Sequence, residues 1–149
     1  MGNITKSPSK EAMQAIVDRI NAGDSYKLDD AAGFSESIID PLEEITGLRV
    51  DVVAESEMQL EETLDVEDRT EVMIRVYIRA KVSSVEDDEI EPLKLLVRKL
   101  WRQLNNYDAE RVKVWSCDIS PKEVPIKAIL NEHRLFVATL VLRTEVEPS

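Results

Sequence analysis

Residues 69–82, Arg-Thr-Glu-Val-Met-Ile-Arg-Val-Tyr-Ile-Arg-Ala-Lys-Val, alternate without a break between two chemically different faces. One face carries Thr70, Val72, Ile74, Val76, Ile78, Ala80 and Val82; the other carries Arg69, Glu71, Met73, Arg75, Tyr77, Arg79 and Lys81. Successive side chains of a strand point to opposite sides, so a period of two held this long predicts one extended strand buried on a single face. The aliphatic face demands a covering layer. The opposite face sets charges about 7 Å apart with Met73 and Tyr77 among them. It reads either as a sheet face left to water or as a surface that meets a partner.

Punctuation and period organise the rest. Ser7 or Ser9 caps a first helix, Pro8 suits its first turn, and Met13, Ile16, Val17 and Ile20 form its apolar stripe up to Gly23. Residues 24–34 are ambiguous, with Tyr26 and Leu28 able to form a short strand. Ser35 to Thr46 reads as a short acidic helix or turn interrupted at Asp40-Pro41 and closed by Gly47. Leu48, Val50, Val52 and Ala54 alternate with Arg49, Asp51, Val53 and Glu55, which predicts a strand. Between it and the long strand lies a stretch crowded with carboxylates, expected as an acidic loop over residues 55–68 at the tip of a hairpin.

A second helix is expected from near Asp88, with Pro92 in its first turn. Its broad apolar face comprises Ile90, Leu93, Leu96, Val97, Leu100, Trp101, Leu104 and Tyr107, and Asn105-Asn106 mark its end. Strands follow near 111–118 and 134–146, joined by a segment whose Ile126, Ile129 and Leu130 could cap the core. The last strand is apolar on both faces, which predicts a central position or a covering partner. The expected fold is α+β: a mostly antiparallel sheet of four to five strands with two main helices packed on one face. The helix of residues 90–107 is expected to lie across Val72, Ile74, Val76 and Ile78. A single domain over 1–149 is expected, with a flexible N-terminus at residues 1–8.

Charge narrows the function. Nineteen basic against 30 acidic residues give a net charge of −11. Nonspecific nucleic-acid binding and adhesion to an anionic membrane both need a basic footprint, and this balance argues against them. The lone Cys117 cannot form an internal disulfide, the first ten residues lack the apolar core of a secretory leader, and Lys6 stands where a myristoylation signal needs Ser or Thr. Assembly in the cytosol and no membrane partner are expected.

The residues offer little chemistry. His133 is the single histidine, so no pair of histidines can hold a metal within one chain. Cys117 has no neighbouring base, and the four glycines never cluster into a phosphate-binding loop. The acidic loop lacks the glycine turn and alternating ligands of an EF-hand. Lys94, Arg98, Lys99 and Arg102 have the spacing of an ordinary helix exterior, and Trp101 and Trp115 suit core or interface anchoring. No cofactor, no metal and no catalysis are expected.

The order of elements and several strings resemble the small tail terminator or neck (tail-completion) proteins of long-tailed bacteriophages. The strings are Ile16-Val17-Asp18-Arg19-Ile20-Asn21-Ala22, Leu48-Arg49-Val50-Asp51-Val52-Val53 and the alternating run ending at Val82. The helix around Leu93 to Leu104 and Leu135-Phe136-Val137-Ala138-Thr139-Leu140 complete the resemblance, which covers most of residues 10–146. It implies a virion protein forming a ring, commonly of six copies, on the head-proximal end of the tail tube. Such a ring stops tube polymerisation and joins the tail to the head connector. Its partners would be its own copies, the tail tube protein, the sheath protein as a further candidate, and the connector, with genomic DNA passing through unbound.

On this reading Met73, Arg75, Tyr77 and Arg79 are candidates for subunit contact. Glu57, Glu61, Glu62 and Asp65 are candidates for a loop facing the lumen or an axial partner. Reversing the charges of Arg75 and Arg79 together is expected to block assembly while leaving the subunit folded. Two alternatives remain open: a small non-catalytic binding or regulatory module acting as monomer or dimer, and an enzyme whose site is assembled from scattered carboxylates.

Overall fold

The structure, a computed structural model, describes residues 7–23, 33–35, 47–59, 69–83, 87–120 and 134–147. Helix α1 spans Pro8–Ala22, and the Ser7 hydroxyl caps it by accepting the Lys10 N–H at 3.2 Å. Strand β1 is Gly33–Ser35, β2 Leu48–Gln59 and β3 Thr70–Lys81. Helix α2 is Asp87–Leu104, followed by β4 at Val112–Ser120 and β5 at Leu135–Val146. These strands form one sheet in the order β1-β2-β3-β5-β4, antiparallel throughout except for the short β1, which runs parallel to β2. The α+β architecture with both helices on one face is as the sequence predicts.

The register explains the core. Val52, Val76, Leu140 and Ile119 lie side by side across β2, β3, β5 and β4, and their neighbours two residues away repeat the pattern. That face is aliphatic because each strand puts its apolar period on it. The helices close it with Ile16 and Ile20 from α1 and Leu100 and Leu104 from α2, all fully buried. Each such side chain contributes about 1.5–3 kcal/mol through removal from water. At the helix junction the Gln103 side-chain amide donates to the Arg19 carbonyl at the end of α1. A Cβ at Gly23 would collide with that amide, so glycine permits the close approach. Gly47, at φ +67°, turns the chain into β2 and accepts the Lys81 N–H at 3.0 Å.

Several local expectations are corrected. The helix of residues 90–107 does not take the β3 face as its main seat: α1 lies over β2 and β3, while α2 lies over β4 and β5. Sheet order decides this, because β5 inserts between β3 and β4. Helix α2 starts at Asp87 and reaches only Leu104, so Pro92 stands in the second turn rather than the first. The donor that Pro92 lacks would have met the carbonyl of Asp88, an exposed residue whose carbonyl can turn to water. The Glu89 carboxylate accepts the Ser83 N–H at 2.7 Å and the Ser83 hydroxyl at 2.9 Å, which pins the approach to the helix.

Strand β2 continues to Gln59, so residues 55–59 of the expected acidic loop are strand. Ser35 ends β1 instead of opening a helix. The expectations for Tyr26 and Leu28, for residues 36–46, for the loop at 60–68 and for the segment with Ile126, Ile129 and Leu130 lie outside the described residues. The last strand is central, as its two apolar faces require. Among the described residues no helix is long and apolar enough to cross a membrane.

Candidate functional site on the outer sheet face

The face of the sheet turned away from the helices has two unlike halves. Near the start of β2 it is buried: Asp51, Val53, Arg79, Leu135, Val137 and Thr139 all lie below one-tenth exposure. Here the Arg79 guanidinium, wholly withdrawn from solvent, donates to Asp51 at 3.0 Å, and the half-exposed Arg49 reaches the same carboxylate at 3.0 Å. Arg79 is therefore part of the subunit's interior and not an exposed contact, which corrects its assignment beside Arg75. It lies one position along the same face from Tyr77. Its cross-strand neighbours are Arg49 and Val137.

Towards the other end the face opens. Met73, Arg75 and Tyr77 are each partly exposed, and Arg75 pairs with Glu55 at 2.6 Å. Two bulges shape this half. Glu55 is the extra residue on β2 and Trp115 the extra residue on β4. A bulge shifts the strand's parity by one, so Ser56 and Met58 point outward opposite Met73 and Glu71. Trp115 reaches back over the outer face and donates its indole N–H to Glu145 at 3.0 Å, with the Lys113 ammonium 4.4 Å above its ring. Arg143 pairs with Glu71, and Glu71, Trp115, Arg143 and Glu145 line a shallow open hollow. Trp115 is 51% exposed and Met58 57%, large apolar surfaces set within a frame of paired charges. That combination of aromatic, methionine and arginine is the composition of protein–protein contact surfaces.

The acidic set divides. Glu57 stands on β2, where its carboxylate accepts the Ser9 hydroxyl of α1, so it braces the hairpin against the helix. Glu61, Glu62 and Asp65 lie outside the described residues, as does His133. Met58 was not singled out from sequence, and Trp115 only as a core or interface anchor; polar Ser56, where the alternation calls for an apolar residue, is the signal that could have revealed the first.

Among the described residues no three His, Cys, Asp or Glu side chains converge as a metal set. Cys117 is buried in the core face of β4, where loss of water and the neighbouring Asp118 push its thiol from 9.0 up to about 12. Trp101 covers this stretch, donating its indole N–H to the Cys117 carbonyl at 2.6 Å. The unfolded thiol ionises near 9.0 and the folded one near 12. The folded state therefore keeps the proton longer: its stability is whole below pH 9.0 and declines as pH rises from there towards 12. Iodoacetamide at mildly alkaline pH is expected to leave the native protein unmodified and to label it promptly in urea, read by mass spectrometry. Equal labelling in both conditions would contradict the burial.

No protein-family model matches the sequence, and no curated protein matches it. Among solved structures, a chain from the virion of a native gene transfer agent particle superposes with a TM-score of 0.59 at 11% identity, over 96% of this chain and 100% of that one. The two share a fold. A sheath/tube terminator of an extracellular contractile injection system, in its extended state, gives a TM-score of 0.41 at 10% identity. That superposition spans 58% of the terminator chain and establishes no common fold.

Proposed function

We propose that this chain is a non-catalytic structural protein of the tail terminator or neck class, a virion component assembled in the host cytoplasm. Its copies, six in the simplest case, form a ring on the head-proximal end of a tail tube. The ring stops the tube's growth and joins it to the head connector, with a sheath protein as a further partner where the tail has one. The observation that carries the reading is the end-to-end correspondence of fold with a chain of a gene transfer agent virion. The open half of the outer face, with Met73, Arg75, Tyr77, Met58 and Trp115, supports it as the surface one subunit offers the next. The net charge of −11 suits a channel for DNA. Repulsion acting within a Debye length of about 8 Å keeps a duplex from adhering as it passes.

Light scattering of the purified chain over a range of concentrations tests the proposal. A defined oligomer is expected, and ring-shaped particles in negative stain. Met73→Glu combined with Arg75→Glu is expected to return the chain to monomer while its urea midpoint stays close to that of the parent. A chain that remains monomeric at every concentration, with and without a tail tube protein, overturns the ring and favours the small binding module.

A further inference from the structure

The outward side of α2 has no part in the contacts described so far. Glu91, Leu95, Arg98, Lys99 and Arg102 are exposed along it, with half-buried Lys94 beside them, and Leu95 is 50% exposed. Elsewhere six arginines are matched at home: Arg49 and Arg79 with Asp51, Arg69 with Glu145, Arg75 with Glu55, Arg111 with Glu11 and Arg143 with Glu71. Among the described residues Lys94, Arg98, Lys99 and Arg102 enter no ion pair. The helix dipole accounts for a cation in the last turn, where Arg102 stands, but not for three more in the turns before it. In a chain of net charge −11, this is a concentration of positive charge that the subunit itself leaves uncompensated.

The complementary feature is a stretch of the sequence. Residues 60–68, Leu-Glu-Glu-Thr-Leu-Asp-Val-Glu-Asp, contain five carboxylates and no cation, with Leu60, Leu64 and Val66 interleaved. The segment connects Gln59 of β2 to Thr70 of β3 through Arg69, whereas α2 covers β4 and β5 at the other side of the sheet. The β2–β3 connection is thus acidic and partly apolar in sequence. The outward side of helix α2 is basic with an exposed leucine.

We propose that the Lys94–Leu95–Arg98–Lys99–Arg102 face of α2 is the docking site for segment 60–68 of a neighbouring copy. This rests on the ring reading and gives it a polarity. In a ring each copy gives its segment to one neighbour and receives the other neighbour's on its helix, a head-to-tail contact. Its carboxylate–cation pairs fix the register, and Leu95 receives an apolar residue of the segment.

A charge exchange tests it. One variant carries Lys94→Glu, Arg98→Glu, Lys99→Glu and Arg102→Glu; the other carries Glu61→Lys, Glu62→Lys, Asp65→Lys and Glu67→Lys. Each separately is expected to need at least about tenfold more protein for half-assembly than the parent. Mixed in equal amounts they are expected to recover assembly as alternating copies, and sodium chloride is expected to weaken the parent's assembly as the screening length shortens. Circular dichroism confirms that each variant is folded. Either variant assembling like the parent, or a mixture of folded variants that stays apart, overturns the helix site while leaving the ring intact. A parent that never assembles removes both. A helix variant that assembles normally yet loses retention of a short DNA duplex assigns the face to nucleic acid and overturns the proposal.

Discussion

Arg79→Ala is expected to cost about 3–5 kcal/mol of stability, whereas Arg75→Ala, four residues away on the same strand face, costs under about 1 kcal/mol. The difference follows from solvent. The Arg79 side chain is 0% exposed and its Asp51 partner 5%, so truncation strands a carboxylate in a dry site with only the half-exposed Arg49 left to answer it. Arg75 and Glu55 are 33% and 47% exposed, and water replaces the lost contact. Urea titration of the two variants under one condition measures the contrast, and similar midpoints would refute it. The same physics revises the expected double charge reversal: including Arg79→Glu unfolds the subunit, so only the Arg75 half of that substitution reports on assembly.

Phe136→Ala is the second large effect, expected at about 3–5 kcal/mol. Phe136 is fully buried on the core face of β5, opposite Ala80 of β3. That small neighbour leaves space for the ring, and truncation opens a cavity there. Domains of this size have stabilities of about 5–15 kcal/mol, so the variant loses a large share of its margin. Ile74→Val, equally buried, removes a single methylene and is expected to cost about 0.5–1.5 kcal/mol. A common urea series for both variants checks the ranking; a Phe136 variant no weaker than the Ile74 one would contradict the tight packing assigned to β5.

How far the sequence foretold this molecule depends on which forces act locally. The alternation at 69–82 placed β3, and the two apolar faces of Leu135 to Leu142 placed β5 in the middle, because burial writes its period directly into a strand. The stripe from Ile90 to Leu104 placed α2 for the same reason. The end of β2 was lost at Glu55, where one extra residue reverses the parity and turns a good strand into an apparent loop. Three residues, Gly33-Phe34-Ser35, are too few to carry any period. Arg75 and Arg79 look identical in an alternating run. Their fates separate through Asp51, and only the register of the hairpin says which arginine it can reach. Helix α2 sits on β4 and β5 instead of β3 because sheet order is a long-range property that no local pattern encodes.

The bulge at Trp115 has one more effect. β4 borders the sheet, a place where unpaired backbone groups invite another chain to add a strand without limit. Here the Val112 carbonyl and the Val114 N–H are already taken by Ala109 and Tyr107, the extra residue breaks the row next, and exposed Lys113 and Asp118 flank the break with opposite charges. A neighbour therefore cannot zip onto the border as an extra strand. At this border copies are left to meet through side chains, in contacts that a change of salt can undo.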